Sequence, residues 1–254
     1  MGIQYSDHQP DELLHPFVFT FWKTHNTSGT DSHYTIIPDA GIELIFSIFP
    51  EQPQQVTLFG LSTHRLEISI PDQAVFLGVR FKLLAVEYLL RTRLSTNSSL
   101  KLSLDFESLE LNAHTPLASF ADAISALLQQ QLRSQIIDPR KRNLLALIDQ
   151  CKGAISVHEL ALETGWADRQ INRYFKAWFG LPLKAYLEQL VFFSALPQIG
   201  QGHFYPQSYY YDQSHFIRQT KKHTGTTPKQ LYQQREVRFV QLRGFCDESL
   251  HLKK

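Results

Sequence analysis

Apolar and polar positions alternate through the first third of the chain. In Gly41–Phe49, Ile42, Leu44, Phe46 and Ile48 share one face of an extended segment. Ile45 and Phe49 lie on the other, so both faces are largely apolar. His15–Trp22, His33–Pro38, Val56–Phe59, Leu66–Ile70 and Val75–Phe81 are comparable short runs, punctuated by turn residues such as Asp39-Ala40-Gly41 and Pro71-Asp72. Strands in succession with no helix between them predict a small antiparallel β barrel or sandwich. The period then lengthens. Leu83–Leu90 and Pro116–Ile136 read as flanking helices, with a polar loop containing Ser95–Ser99 between them. In the second helix Leu117, Phe120, Ile124 and Leu127 or Leu128 form one stripe, which can cover its own sheet or a second copy of the chain.

From Asp138 onward the pattern is helical throughout. Asp138-Pro139-Arg140-Lys141-Arg142 is the expected junction between a β-rich domain, 1–138, and an all-α domain, 139–254, giving an α+β chain. That basic run reads either as a solvated linker or as a phosphate contact. A helix from Arg140 or Asn143 to Lys152 turns Leu144, Leu145 and Ile148 inward, and Gly153 ends it. Ser156 and Glu159 fit a capping box. Val157, Leu160 and Ala161 then form one apolar stripe and Ile171, Phe175 and Trp178 another, with Gly165 at the turn between them. Two short helices crossing at such a turn make a helix-turn-helix, whose second helix can enter a DNA major groove. The opposite face of that helix carries Arg169, Gln170, Asn172, Arg173 and Lys176. Arginine can fork onto guanine, and asparagine or glutamine onto adenine. A solvated face on an ordinary helical hairpin has the same pattern. Leu183–Leu196 reads as a longer helix with Tyr186, Leu187, Leu190 and Phe193 inward.

Leu160-Ala161, Gly165, Arg169, Arg173-x-Phe175-Lys176 and Gly180-x-Pro182, followed by Tyr186, resemble the first helix-turn-helix of AraC/XylS-type transcriptional regulators. The run Tyr210–Arg218 (YYDQSHFIR), then Gly225-x-Thr227-Pro228, resembles the second. The resemblance implies a second recognition helix, capped by Asp212, with Gln213, Ser214, Ile217 and Arg218 toward DNA. Lys221, Lys222 and Lys229 would serve phosphates. A helix that merely buttresses the first motif is the competing reading. Several positions depart from the family pattern. Ala167 stands where a capping residue is usual, leaving Asp168 to take that role, and Val191 replaces a common Arg. The first helix of the second motif should fall in Gln198–Tyr209, yet this stretch holds Gly200, Gly202 and Pro206, with Tyr209 at the turn glycine's place. Thr220 replaces a core Phe, and Tyr205, Tyr209, Tyr210 and Tyr211 read as packing for a shortened segment. In the N-terminal half, Ile37–Phe46 around Pro38-Asp39-x-Gly41-x-Glu43, with Gly78-Val79-Arg80-Phe81, resembles a domain often fused to such regulators. The implied partners are double-stranded DNA, with a small-molecule effector, RNA polymerase and a second copy of the chain as further candidates.

Charge sharpens this picture. The 254 residues carry a formal net charge of +1, but residues 1–138 hold 8 Lys+Arg against 15 Asp+Glu, and residues 139–254 hold 17 against 9. A cationic half gains affinity for nucleic acid by releasing phosphate counterions, while the acidic half is repelled. Within the acidic half, Asp39, Glu43 and Arg80 lie on otherwise apolar strands and must pair with one another or bind a polar ligand. No apolar run reaches the ~20 residues that span a bilayer, and the N-terminus lacks a secretory pattern, so a soluble cytoplasmic protein with no membrane association is expected. Cys151 and Cys246 lie in no metal-ligand spacing. There is no His-x-His, no Gly-x-Ser-x-Gly and no glycine-rich phosphate loop, which predicts no catalysis, no metal and no cofactor. The alternative function is a small-molecule-binding or protein-interaction protein whose C-terminal helices do not bind DNA specifically.

Overall fold

The period-two segments pair into two antiparallel sheets in the computed structural model, which describes residues 2–102, 109–205, 210 and 212–234. The strands are β1 (Ile3–His8), β2 (Val18–Asn26), β3 (Ser32–Ile36), β4 (Ile42–Ile48), β5 (Gln55–Phe59), β6 (Leu66–Ile70), β7 (Val75–Phe81) and β8 (Ser99–Leu102). The larger sheet has the order β1-β2-β7-β4-β5-β8, and β3 pairs with β6. Among the described residues the larger sheet keeps two open edges, so no closed barrel forms. β4 alternates as its sequence requires: Ile42, Leu44, Phe46 and Ile48 are buried, while Glu43, Ile45 and Ser47 are half-buried. β1 and β8 were not expected. Both are edge strands of mostly exposed side chains, held by backbone pairing to one neighbour, so they leave little hydrophobic signal.

Helix α1 (Leu83–Ala85) continues into a π-type turn at Val86–Leu90, and α2 (Leu117–Leu132) covers the sheet's buried face. Phe120 of α2 meets Phe21 and Phe46 edge-on, with centroids 6.3 and 5.4 Å away. Leu128 completes its stripe, and Leu127 is exposed. The stripe offered for self-association is therefore used within the chain.

The remaining helices are α3 (Pro139–Gln150), α4 (Val157–Thr164), α5 (Asp168–Phe179), α6 (Leu183–Gly200), α7 (Gln213–Thr224) and α8 (Pro228–Gln233). The basic run after Asp138 is not a linker. Asp138 caps α3 by accepting the Arg140 N–H at 2.9 Å, Lys141 pairs with the half-buried Glu87, and Arg140 lies over the Trp166 ring at 5.4 Å. Leu83 and Leu84 share one hydrophobic core with Leu144, Leu145, Phe175 and Leu183, so the two halves are packed into each other.

The capping box of α4 forms as expected, with Ser156 Oγ accepting the Glu159 N–H at 3.1 Å and Glu159 accepting the Ser156 N–H at 2.8 Å. Asp168, by contrast, does not cap α5. It is the helix's first residue; Ala167 is the cap, and Gln170 Oε1 accepts the Ala167 N–H at 3.0 Å. The buried stripe of α5 is Ile171, Tyr174, Phe175 and Phe179, with Trp178 only half-buried.

α6 also differs from expectation. It continues through Pro197 to Gly200, absorbing residues assigned to the next helix, and buries Phe192, Ala195, Leu196 and Ile199 where Leu190 and Phe193 stay half-buried. Among the described residues no helix lies between α6 and α7. Pro206, Tyr209, Tyr211 and Cys246 fall outside the described residues. α7 is capped by Asp212, which accepts the His215 N–H at 2.7 Å. Thr220 is buried and returns its hydroxyl to the Phe216 carbonyl at 2.9 Å. Tyr210 packs edge-on against Phe216 at 4.9 Å, whereas Tyr205 is exposed and does not fill the shortened segment.

His223 of α7 is buried and stacks on Phe192, with ring centroids 4.7 Å apart. Burial, aided by nearby Lys222 and opposed by Glu188, pulls its pKa from 6.5 down to about 4. A depressed imidazole favours the fold above the unfolded pKa, and that contribution is lost as pH falls from 6.5 toward 4. Going from pH 7.5 to pH 5.5 should therefore cost about 1 kcal/mol through this group. His223→Phe, which keeps the aromatic stack, should flatten that part of the urea-midpoint profile. An unchanged profile would exclude His223 as its source.

Candidate nucleic-acid interface and adjoining cavity

The turn at Gly165 is left-handed, with φ of 67°, and its N–H returns to the Ala161 carbonyl, so α4 stops sharply and α5 starts three residues later. α5 is fixed by its apolar side: Phe175 packs against Phe179 at 4.6 Å and Tyr186 at 5.2 Å, and Trp166 meets Tyr174 edge-on at 5.5 Å. The Tyr174 hydroxyl donates to Glu87 at 3.0 Å, and burial with this carboxylate pushes its pKa up. With that side sealed, Arg169, Gln170, Asn172, Arg173 and Lys176 are all exposed on the other. Two have local tasks. Gln170 contributes the backbone bond at Ala167, and Asn172 Nδ2 donates to the Asp168 carbonyl at 3.0 Å. Arg169, Arg173 and Lys176 are exposed cations with no ion pair to another described residue.

On α7, Gln213, Ser214, Arg218 and Lys221 are exposed and Ile217 is half-buried. Lys222 pairs with Glu188 of α6 at 3.3 Å, which places it against the protein's own surface; Lys229 of α8 is exposed.

Asp39, Glu43 and Arg80 are brought together. The β4–β7 register sets Glu43 opposite Arg80, and the β2–β7 register sets Trp22 opposite Gly78, where any side chain would collide with the indole. Arg80 Nη1 donates to Asp39 at 2.7 Å and Glu43 at 3.2 Å, Nη2 donates to the Asp39 carbonyl at 3.0 Å, and Trp22 Nε1 donates to Glu43 at 2.8 Å. Desolvation pushes the Glu43 carboxyl up to about 7, against the pull of Arg80. Burial pulls the Arg80 pKa down, but the two carboxylates outweigh it and hold it above the ordinary guanidinium value. The Phe193 ring of α6 lies 5.3 Å from this guanidinium, and the Tyr186 hydroxyl reaches the Ala40 carbonyl at 3.4 Å. Trp22 and Phe193 escaped the sequence reading as site residues, because an aromatic on a strand or helix reads first as core. The glycine facing Trp22 was the available signal.

Beside this cluster a cavity of about 490 Å³ opens between the halves. Phe19, Leu83, Leu145 and Phe193 give it apolar walls, and Arg80, Lys82 and Arg142 line it together with Asp39 and Asp149. Among the described residues no group of His, Cys, Asp or Glu could hold a metal ion, and no helix is long and apolar enough to cross a membrane.

Residues 6–100 match a family model described as a domain of unknown function, DUF6597. No curated protein matches the sequence. Among solved structures, ToxT from Vibrio cholerae is similar at 12% identity and a TM-score of 0.42, over 91% of this chain and 98% of that one. ToxT bound to (E)-4-(8-methylnaphthalen-1-yl)but-3-enoic acid gives 11% identity and 0.43, over 91% and 98%. The unsaturated fatty acid-bound form gives 11% and 0.40, over 91% and 94%.

Proposed function

We propose that this chain is a transcription regulator of the AraC/XylS type that binds double-stranded DNA sequence-specifically. α5 is its principal reading helix and α7 a second one. The observation that carries this reading is the division of α5: one side is fixed in the core and the other presents Arg169, Arg173 and Lys176 to solvent beside Gln170 and Asn172. Arginine and amide side chains on a rigid helix after a sharp turn suit base edges in a major groove. The basic balance of residues 139–254 supports the same assignment, since phosphate attraction supplies affinity independent of sequence. Lys221 and Lys229 are suited to phosphates, and Lys222 to that role only after leaving Glu188. A cytoplasmic setting goes with this task.

The effector site in this reading is the cavity beside Arg80. Its volume of about 490 Å³ suits a small organic molecule, and apolar walls with a few convergent polar groups are the usual composition of such sites. Asp39 and Arg80 act there as a preformed polar wall, and Glu43, which does not line the cavity, holds Arg80 through its second ion pair.

Selection of bound duplexes from a random pool tests the assignment. One recurrent sequence is expected, bound with a logarithmic affinity that falls linearly with log salt, by about 0.9 per phosphate contacted. Failure to enrich any sequence, together with no binding to random duplex in dilute salt, would leave the small-molecule-binding or protein-interaction alternative in its place.

A further inference from the structure

Among the described residues three helices are capped at their C-terminus by a glycine of positive φ, and their surroundings differ. Gly165, after α4, has φ of 67° and no atom within 4 Å of where a side chain would begin. Gly180, after α5, and Gly225, after α7, have φ of 68° and 74°, and each is also covered by a loop of the N-terminal half. A side chain at Gly180 would start 2.9 Å from the Thr96 nitrogen and 3.1 Å from the Leu94 carbonyl; one at Gly225 would run into the Arg65 guanidinium. The turn alone explains the first glycine. The other two are also docking points.

Helix C-termini leave carbonyls that need donors. At α5, the Trp178 carbonyl accepts the Leu94 N–H at 3.3 Å, and Arg93 lies 5.5 Å over the Trp178 ring. At α7, the Thr224 carbonyl accepts Arg65 Nη1 at 3.3 Å, a cation placed at the negative end of the helix dipole. Between them, Gln189 of α6 donates to the Ser62 carbonyl at 2.8 Å. The two loops that make these contacts, 61–65 and 91–98, are tied to each other by Asn97. Its Oδ1 accepts the Thr63 N–H at 2.8 Å, its Nδ2 donates to the Thr63 hydroxyl at 2.9 Å, and its own N–H reaches the Leu61 carbonyl at 2.8 Å.

We propose that loops 61–65 and 91–98 form one brace that fixes the spacing and orientation of α5 and α7, with Arg65 and Asn97 as its positioning residues. The acidic half is then part of the reading device rather than only a sensor attached to it. This rests on the assignment of α5 and α7 as reading helices, but its geometry can be tested apart from DNA.

The test uses the full chain with Cys151→Ser and Cys246→Ser and with spin labels at Lys176→Cys and Lys221→Cys, in four forms. These are the otherwise unaltered labelled chain, Arg65→Ala, Arg65→Ala with Asn97→Gly, and Arg133→Ala as a control on an exposed site outside the brace. Glycine at 97 keeps the φ of 58° accessible while removing the side-chain ties. The expected result is one narrow distance distribution in the unaltered and control chains, broadened in Arg65→Ala and losing its single peak in the double variant. A narrow peak that persists in the double variant overturns the brace. In duplex selection with unlabelled chains that keep Lys176 and Lys221, the parental chain should recover two half-sites at one fixed spacing and the double variant the same half-sites at several spacings. Recovery of the single spacing by the variant would equally overturn it. A parental chain that selects no duplex removes the DNA-reading assignment, while the distance measurement still decides the brace.

Discussion

Replacing Arg80 with methionine is expected to lower the stability of the chain by roughly 3–5 kcal/mol, the usual consequence of removing one partner from a buried ion cluster. Arg80, Asp39 and Glu43 have side chains only 17–18% exposed, so water can do little to replace the lost cation. The effect should depend on pH in a defined direction. Glu43 has a folded-state pKa of about 7, raised from 4.5, so the fold holds this proton more tightly than the unfolded chain. Its contribution is therefore fully present below 4.5 and is lost as pH rises through 7. Without Arg80 the carboxylate form becomes costlier still, so Arg80→Met should be most damaging at pH 8 and less so at pH 5. Urea unfolding at both values checks this. A loss below about 1 kcal/mol at pH 8 would mean that the cluster behaves as a solvated surface pair.

The second large effect is expected at the reading helix. Arg173→Ala and Arg169→Ala should each weaken binding to the selected duplex by about 1–3 kcal/mol if the side chain forks onto a base. Both residues are exposed and carry none of the packing of α5, so unfolding midpoints should stay near those of the parent. The control is the same measurement on duplexes altered at one base pair. A base contact gives a loss that disappears when its base is changed, whereas a phosphate contact gives an equal loss on every sequence. Lys176→Ala is expected to behave in the second way and to reduce the salt slope by about 1. Should both arginine variants bind the selected duplex as tightly as the parent, α5 would lose its role.

Much of this architecture was legible because it rests on short-range rules. Alternation marked β4, the Ser156–Glu159 pair marked the start of α4, Gly165 marked its end, and Asp212 marked the start of α7. The exposed edge of α5 followed from helical periodicity, although the buried side included Tyr174 and Phe179 in place of a fully buried Trp178. What was not legible depends on long-range placement. The joining helix was expected to stop near Leu196 and Gly200 read as a poor helix residue, but the core that Leu196 and Ile199 share with Ile37 and Phe216 carries α6 on to Gly200. Lys141 read as a free cation until Glu87, distant in sequence, was found beside it. The Asp39–Glu43–Arg80 group could be recognised as needing partners, but whether those partners were internal depended on strand order. β7 lies between β2 and β4, and no local pattern states that.

The core shared by Leu83, Leu84, Leu144, Leu145 and Leu183 limits how any signal can pass through this molecule. Swinging the two halves apart like a clamshell would strip these side chains bare, at about 25 cal/mol for each Å² wetted. If the proposed effector site beside Arg80 is used, its occupant touches α3 at Leu145 and α6 at Tyr186 and Phe193 while that shared core stays closed.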